Sequence, residues 1–275
     1  MAYERELEVA LAAAQEAAEI LRRHYEGGTQ RWEKSKGDPV TAADLESEHA
    51  IRARLTASFP EDALLSEETV SDPGRVRNRR AWIVDPMDGT KEFTRRIPEF
   101  AVSIALAEAG EPVVGVIHNP AAGVRVWASR GGGTWRDGAR VRVSPVAKLE
   151  EAVVIASRTE ISKQQFAPYA GWFRELRPLG SIAWKLACIA SGEGDLNVSV
   201  APKNEWDVCA GDVLVREAGG VYVAFDGSRR IYNQAKTLIE AGMAAGNRGL
   251  VDAFCRRDRE RSARDGGSPS PAGRT

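Results

Sequence analysis

The chain has 275 residues, of which 43% are hydrophobic and 28% are charged, and its formal net charge is −1. That length allows one large domain or two closely packed halves with a sizeable core. The near-zero charge gives no reason to expect a nucleic acid polymer or an anionic membrane as partner. No apolar stretch approaches the roughly twenty residues of a membrane span, and the N-terminus has no signal-peptide pattern. We therefore expect a cytoplasmic protein.

The three cysteines, Cys188, Cys209 and Cys255, have no CxxC spacing and are expected to be reduced thiols.

Helical patterns dominate the first sixty residues. One helix is predicted from about residue 4 to 26, where two glycines stop it, and a second from about 42 to 58. Thr41, followed three residues later by Asp44, fits an N-cap with an acid in the first turn of the second helix.

The pattern then changes to strands. Residues 81–85 form a short apolar run, residues 100–120 are typical of a hairpin with its turn at 109–112, and residues 124–144 remain rich in strand formers. From Glu151 onward strands and helices alternate, which predicts a parallel or mixed sheet. The predicted strands lie at 153–157, 196–200 and 221–225, and the predicted helices at 164–175, 181–191 and 207–217.

These patterns divide the chain into three parts. We expect an N-terminal α+β half (1–150) with an antiparallel-rich sheet and a C-terminal α/β half (151–258). The remaining residues, 259–275, are rich in Arg, Gly, Ser and Pro and are expected to form a disordered tail. The overall fold class is therefore α/β.

The most informative segment is WIVDPMDGT, in which an apolar strand ends in Asp85 and Asp88. Pro86 fixes one φ angle, and Gly89 permits a tight backbone turn. Both carboxylates and the Met87 carbonyl can then face one space, and Mg²⁺ prefers such oxygen ligands. Taken alone, the segment could also be an acidic turn at a strand end.

Other acids lie at the ends of predicted elements. Glu67 and Glu68 follow an apolar pair, Asp207 precedes an amphipathic helix, and Asp44 follows Asp38 at the start of another. Singly these could be a solvated loop and simple helix caps. Such junctions can converge at one end of a sheet, where ligand crevices form. Clustered carboxylates repel one another unless cations neutralise them, so convergence would imply a metal site suited to phosphoryl transfer.

These motifs resemble the inositol monophosphatase superfamily of magnesium-dependent, lithium-sensitive phosphatases. The resemblance rests on DPMDGT at 85–90, on Trp206-Asp207 and on the AGG at 218–220, and it covers roughly residues 5–255. Lys91-Glu92 stands where inositol monophosphatases proper usually carry Thr-Asn, so the chain is most similar to the 3′(2′),5′-bisphosphate nucleotidase branch. The implied fold is a layered αβαβα sandwich of the sugar-phosphatase type.

The resemblance also implies roles for individual residues and a cofactor. Two Mg²⁺ ions would be held by Glu67, Asp85, the Met87 carbonyl, Asp88 and Asp207. Asp44 and Thr90, together with Glu67, would be the catalytic residues that orient or activate water, with or without a third Mg²⁺. Substrate would contact Asp88, Gly89, Thr90, Gly180, Ser181 and Asp207. Li⁺ is the expected inhibitor, and both a homodimer and a monomer fit the family.

The resemblance implies hydrolysis of a small phosphorylated metabolite by metal-activated water. The first candidate substrate is 3′-phosphoadenosine 5′-phosphate, which would be converted to AMP and phosphate. Inositol phosphates and fructose 1,6-bisphosphate stay open as alternatives. Inositol phosphatases have an acid several residues before the Trp-Asp pair that contacts inositol hydroxyls, whereas residues 197–202 of this chain contain none. This difference weakens the hypothesis that the substrates are inositol phosphates alone. Lys203 either contacts a second phosphate or faces solvent.

Three rival classes fit less well. The haloacid dehalogenase type of phosphatase has one residue between its paired acids, whereas Pro86 and Met87 separate them here. A non-catalytic cation-binding module would not need Thr90 and Asp44 beside the cluster. A serine or cysteine hydrolase is disfavoured because none of the three histidines belongs to a nucleophile motif. These are His24, His49 and His118.

Overall fold

The computed structural model describes residues 2–35, 38–70 and 72–264. The side chain of Asp38 and the predicted tail from residue 265 onward lie outside the described residues. Within this part of the chain the α-helices are α1 (Glu4–Gly27), α2 (Ala42–Ser58), α3 (Thr90–Thr94), α4 (Arg158–Ser162), α5 (Ile182–Ala190), α6 (Glu205–Glu217) and α7 (Arg248–Arg264). None of these helices combines the length and the hydropathy needed to cross a bilayer.

In the described ranges the strands form two large sheets and two small ribbons. In chain order they are β1 (Arg31–Ser35), β2 (Asp38–Thr41), β3 (Ala63–Ser66), β4 (Arg80–Asp88), β5 (Ala101–Glu108), β6 (Glu111–Asn119), β7 (Val124–Ser129), β8 (Gly133–Arg136), β9 (Ala139–Val141), β10 (Val153–Ser157), β11 (Glu175–Leu179), β12 (Leu196–Ser199), β13 (Lys203–Asn204), β14 (Val221–Ala224), β15 (Leu238–Ile239) and β16 (Met243–Gly246).

The larger sheet has seven strands in the order β3-β4-β5-β6-β7-β8-β9. Its β3–β4 pair is parallel and the other pairs are antiparallel. The second sheet has the order β11-β10-β12-β16-β14 and is mixed, with β10 parallel to both its neighbours. The antiparallel-rich first sheet and the mixed second sheet were both predicted.

These elements stack in five layers, which confirms the predicted αβαβα sandwich. Helices α1 and α2 share a hydrophobic core with one face of the seven-stranded sheet. Helices α5 and α6 lie between the two sheets, and α7 covers the far face of the five-stranded sheet. Because both faces of β5 and β6 are covered, these strands are apolar along nearly their whole length.

One glycine allows the middle helical layer to lie close to the larger sheet. A Cβ on Gly115, in β6, would lie 2.7 Å from the carbonyl oxygen of Ala210, in α6. No real Cβ tolerates that distance from backbone, so the close approach of α6 to β6 requires glycine there. The two halves of the chain therefore share one core through α6, and their division at residue 150 stays a prediction.

Several sequence predictions need correction. The predicted helix at 164–175 is wrong: this segment is a 3₁₀ turn, Ala167–Tyr169, followed by an irregular stretch that leads into β11. Pro168 and the positive φ of Gly171 interrupt a helix, and the aromatic residues of the segment pack instead against Phe254 of α7. Helix α7 also continues to Arg264, so residues 259–264 are helical and not part of a disordered tail.

A further correction concerns α6, which begins at Glu205, two residues before the predicted start at Asp207. The hairpin turn between β5 and β6 is also tighter than predicted. It consists of Ala109 and Gly110, both with positive φ, as a two-residue hairpin turn requires.

His118 makes folding stability depend on pH. It lies in β6 with 6% of its surface exposed, and burial lowers its pKa to about 4. Arg125 lowers this pKa further, whereas a hydrogen bond with the Ala14 backbone raises it. Because the pKa in the unfolded chain is about 6.5, protonation favours unfolding. This contribution to stability is complete above pH 6.5 and is lost as the pH falls through 4.

We expect His118→Gln to reduce the loss of stability on acidification from pH 7 to pH 4 by about 3 kcal/mol. Urea unfolding at a series of pH values measures this difference. His49→Gln, which removes an exposed imidazole, is the matched control and should leave the slope unchanged. Equal pH slopes for wild type and His118→Gln would contradict the assignment.

Candidate active site

A β-bulge brings Asp85 and Asp88 to the same side of β4. Asp85 pairs with Ser103 of β5 and Asp88 pairs with Ala101, so three steps along β4 match two steps along β5. Residues three apart in a regular strand point to opposite faces. The extra residue of the bulge removes that difference, and both carboxylates line one cavity. Pro86 is tolerated here because a bulge leaves a backbone group unpaired.

Gly89 directly follows β4 and has a backbone conformation that other residues rarely adopt. Its φ is +101°, and a Cβ at this position would lie 2.8 Å from the carbonyl oxygen of Glu99. Glycine therefore fits on both conformational and steric grounds. The chain turns here directly into α3, which places Thr90 beside the end of β4.

Asp44 and Thr90 form a hydrogen-bonded pair at the start of α2. The Thr41 amide and hydroxyl donate to Asp44 Oδ2 at 2.7 and 2.6 Å, so the predicted N-cap and first-turn acid form a capping box. The Thr90 hydroxyl lies 3.1 Å from Asp44 Oδ1 and 3.2 Å from the Met87 carbonyl oxygen, so it can donate to either. Burial raises the pKa of Asp44 to about 6, and repulsion from Glu67 adds to that rise.

Glu67 emerges beside Asp85 because β3 and β4 are parallel neighbours. Ser66, the last residue of β3, pairs with Val84, and the Glu67 amide donates to the Val84 carbonyl at 3.3 Å. Asp85 is 1% exposed and accepts the Met87 amide at 2.9 Å. Burial raises the pKa of Asp85 well above its usual value. Repulsion from Glu67, Asp88 and Asp207 raises it further.

Asp88 lies at the N-terminus of α5. The Ser181 hydroxyl and the Ala183 amide both donate to Asp88 Oδ2, each at 2.6 Å. Ser181 is also the N-cap of α5, since its hydroxyl oxygen accepts the Trp184 amide at 3.0 Å. The free amides and the dipole at this helix end favour a negative charge, so the N-terminus of α5 is a suitable place for the Asp88 carboxyl group.

Asp207 lies in the first turn of α6 and forms a second capping box with Asn204, the N-cap of that helix. The Asn204 amide donates to Asp207 Oδ2 at 2.7 Å, and this bond lowers the pKa of Asp207. Burial and the charges of Asp88 and Glu67 have the larger effect and raise that pKa well above its usual value. Its neighbour Trp206 fixes the helix end to the sheet, because the Trp206 carbonyl accepts the Ser103 hydroxyl at 3.2 Å.

The predicted residues meet at one cavity of about 310 Å³. The cavity is lined by Glu67, Asp85, Met87, Asp88, Gly89, Thr90, Gly180, Ser181 and Asp207. Asp44 reaches the site through its contact with Thr90 and is not itself part of the lining. Glu68 lies outside the lining as well. The convergence on which the functional hypothesis depends is therefore present.

The donor chemistry of this cavity fits Mg²⁺. All of its candidate ligands are oxygen atoms, and the mutual repulsion of the carboxylates is what a divalent cation would neutralise. Among the described residues, no three acidic, histidine or cysteine side chains already surround one point closely enough to hold an ion. Asp88 and Asp207 are instead oriented by their hydrogen bonds to Ser181 and Asn204.

Lys185 is a cavity residue that the motif analysis did not single out. It is 3% exposed, lines the cavity from α5, and donates to the Leu179 carbonyl at 3.2 Å. Burial lowers its pKa to about 8, while attraction to Asp88 raises it. The signal in the sequence was a single lysine within the apolar helix IAWKLACIA. Glu92, Ser157 and Thr159 also line the cavity and were not predicted.

Lys203 lines the cavity, but its charge is compensated. Its ammonium group lies 2.8 Å from Glu160 Oε1, and the Glu160 side chain is 4% exposed. The Ala201 and Pro202 carbonyls accept further bonds from it at 3.1 and 3.3 Å. Of the two predicted alternatives, a freely solvated lysine is therefore wrong, and contact with a second phosphate stays a prediction.

A buried polar cluster connects the loop after Glu67 to the N-terminus of α6. Arg75 donates to the Asn233 side chain at 2.6 Å and to the Gln234 carbonyl at 2.7 Å. Glu205, the first residue of α6, accepts the amides of Asn233 and Gln234 at 2.7 and 3.1 Å. The segment that follows Glu67 and the helix that carries Asp207 are thus both fixed to the loop at residues 233–234. No local sequence motif marked this cluster, because its members are distant in the chain.

The layered fold, with a carboxylate-lined cavity at the end of β4, defines the sugar-phosphatase class of architecture. The family described as the inositol monophosphatase family matches residues 2–259. The chain therefore belongs to the inositol monophosphatase family of phosphatases.

Individual relatives agree with this assignment. Inositol-1-monophosphatase of Mesorhizobium japonicum is 35% identical over 257 residues, covering 90% of this chain and 95% of that protein. Fructose-1,6-bisphosphatase/inositol-1-monophosphatase of Thermotoga maritima is 33% identical over 231 residues, covering 80% and 85%. The crystal structure of the extragenic suppressor protein SuhB of Bartonella henselae is similar with a TM-score of 0.82 and 31% identity, covering 92% and 98%. None of these three names is that of a nucleotidase.

We expect Arg75→Met to lower the free energy of unfolding by roughly 2–3 kcal/mol, because it leaves buried acceptors of Asn233 and Gln234 without their donor. Urea denaturation measures the loss. Arg77→Met, which removes an exposed arginine from the same turn, serves as control and should change stability by less than about 0.5 kcal/mol. Similar values for the two variants would show that the buried cluster is not stabilising.

Proposed function

We propose that this chain is a Mg²⁺-dependent phosphomonoesterase that acts on a small phosphorylated metabolite. The supporting observation is that Glu67, Asp85, Asp88 and Asp207 line one cavity with the Asp44–Thr90 pair beside them. A module that only stores cations would not need a hydroxyl and a second buried carboxylate hydrogen-bonded to each other at the edge of the cluster.

Each residue has a distinct task in this proposal. Glu67, Asp85, Asp88, Asp207 and the Met87 carbonyl would hold the ions, which when bound would polarise the phosphate ester and neutralise its charge. Thr90 would position the attacking water through its hydroxyl. Asp44 would accept the proton, since its Oδ1 is 3.1 Å from that hydroxyl and its Oδ2 is fixed by Thr41.

For the substrate, 3′-phosphoadenosine 5′-phosphate is our first proposal, and Lys185 supports it. Its ammonium group lines the cavity wall, and in the described structure no carboxylate lies within ion-pair distance of it. A second phosphate on the substrate would provide a counter-charge for this buried lysine. Inositol phosphates and fructose 1,6-bisphosphate are the alternatives, and both activities occur in the name of the Thermotoga maritima relative.

Phosphate release from these three substrates, measured with Mg²⁺ and with or without Li⁺, tests the proposal. We expect turnover that requires Mg²⁺, is inhibited by Li⁺ and is fastest with 3′-phosphoadenosine 5′-phosphate. Faster turnover of inositol monophosphate would replace the substrate assignment but keep the phosphatase. Stoichiometric Mg²⁺ binding without release from any substrate would favour a non-catalytic cation-binding module.

Asp88→Asn should lower kcat/KM by more than about 100-fold, because it removes one charge from the proposed ion site. The fold should stay intact, since the asparagine oxygen can still accept the bonds from Ser181 and Ala183. Circular dichroism and thermal melting check the fold. Glu61→Gln, which removes an exposed charge elsewhere, is the control. Wild-type rates in Asp88→Asn would refute the assigned role.

Lys185→Met should raise KM for 3′-phosphoadenosine 5′-phosphate at least about tenfold, the effect of one lost charge-assisted bond. It should change KM for adenosine 3′-phosphate, which lacks the second phosphate, less than about twofold. Lys91→Met, at an exposed position of the cavity rim, is the matched control. Equal losses on both substrates would mean that Lys185 does not distinguish the second phosphate.

A further inference from the structure

A second, larger cavity lies on the outer face of the molecule, away from the carboxylate cluster. It has a volume of about 560 Å³ and is formed by α7 and the segment around the 3₁₀ turn Ala167–Tyr169. Its lining includes Arg256, Arg257, Arg261, Arg264 and Trp172. It shares no lining residue with the active-site cavity. We call it the arginine groove.

Two of its guanidinium groups are held in place by buried aromatic rings. Arg257 lies over the Trp172 ring at 4.4 Å from the centroid, and Arg261 lies over the Tyr169 ring at 5.5 Å. Trp172 and Tyr169 are 7% and 6% exposed, so the rings belong to the core and cannot move with the arginines. A guanidinium fixed in this way loses less conformational freedom on binding a ligand than a free surface arginine does.

The groove has more positive than negative charge. Arg261 pairs with Asp258 at 2.9 Å. For Arg256, Arg257 and Arg264, the described residues provide no carboxylate within 4 Å. Glu260 is the single carboxylate among the described lining residues, and it forms no ion pair with another of them. The groove therefore holds several like charges whose repulsion an anion would relieve.

The spacing of the arginines indicates the size of that anion. Arg256 and Arg264 are eight helical steps apart on α7, which is about 12 Å along the helix axis. One phosphate group can contact only part of such a row, whereas two or three linked phosphates can contact most of it. Guanidinium groups bind phosphate oxygens in pairs, which suits arginine better than lysine for this purpose. The volume is that of a small-molecule site.

From these observations we propose that the arginine groove binds a small molecule with two or more linked phosphate groups. The ligand would bind without a divalent cation, because arginine supplies the positive charge. This site is separate from the proposed active site, so its occupancy does not depend on the proposed catalytic function.

Isothermal titration of the full-length protein with inorganic pyrophosphate and with ATP, in EDTA at fixed ionic strength, tests the proposal. We expect saturable binding of both, with inorganic orthophosphate at least tenfold weaker. Arg256→Gln/Arg264→Gln should weaken pyrophosphate binding at least tenfold. Neither side chain has a partner in the described structure, so the fold should not change. Arg257→Gln should also weaken binding.

The matched control is Arg259→Gln on the same helix. Arg259 donates to the Phe225 carbonyl and does not line the groove, so its removal should change affinity less than twofold. Three results would overturn the proposal: unchanged pyrophosphate affinity in the double variant, equal affinity for orthophosphate, or an equal loss in Arg259→Gln. Binding of a single-stranded oligonucleotide without binding of pyrophosphate or ATP would also overturn it, since the face would then recognise a polymer.

Discussion

The repulsion among four carboxylates at the end of β4 is the constraint around which the rest of the structure is arranged. Glu67, Asp85, Asp88 and Asp207 come from three different parts of the chain, and their repulsion raises the pKa values of Asp85 and Asp207. Clustered like charges are unfavourable, and three of the four have a specific support. The supports are backbone amides: those of Met87, Ala183 and Asn204 donate to Asp85, Asp88 and Asp207 respectively.

The layered architecture explains how those supports reach one point. Helices α5 and α6 lie between the two sheets, and both begin beside the cavity. Their N-terminal amides therefore face the acids, while their bodies contribute to the shared core. The close approach permitted by Gly115 fixes α6 against β6. The polar cluster of Arg75 and Glu205 fixes its first turn to the loop that follows Glu67. Packing and hydrogen bonding thus hold an arrangement that electrostatics alone would disperse.

The sequence predicted the features that depend on local chemistry. The bounds of α2, its N-cap Thr41 and the paired acids around Pro86 each depend on a few adjacent residues. Joint motifs also identified the family and the five-layer fold. What the sequence did not predict depends on distant partners. The aromatic residues of the segment at 164–175 pack on α7, a contact that adjacent residues do not reveal. Lys185 faces the cavity because the N-terminus of α5 lies against Asp88. The Arg75 cluster joins residues more than 150 positions apart.

The cavity contains both the carboxylates and a buried lysine, and the two together bear on the choice of substrate in the proposed reaction. The carboxylates need cations, and bound cations would attract one phosphate of a substrate. Lys185 projects from α5, the helix whose first turn also binds Asp88, and its buried ammonium group favours an anion in the cavity. A molecule with two separated phosphates would provide one anion for the cations and another for Lys185. A molecule with one phosphate would give Lys185 no counter-charge of its own, and the resulting difference in free energy would select the substrate.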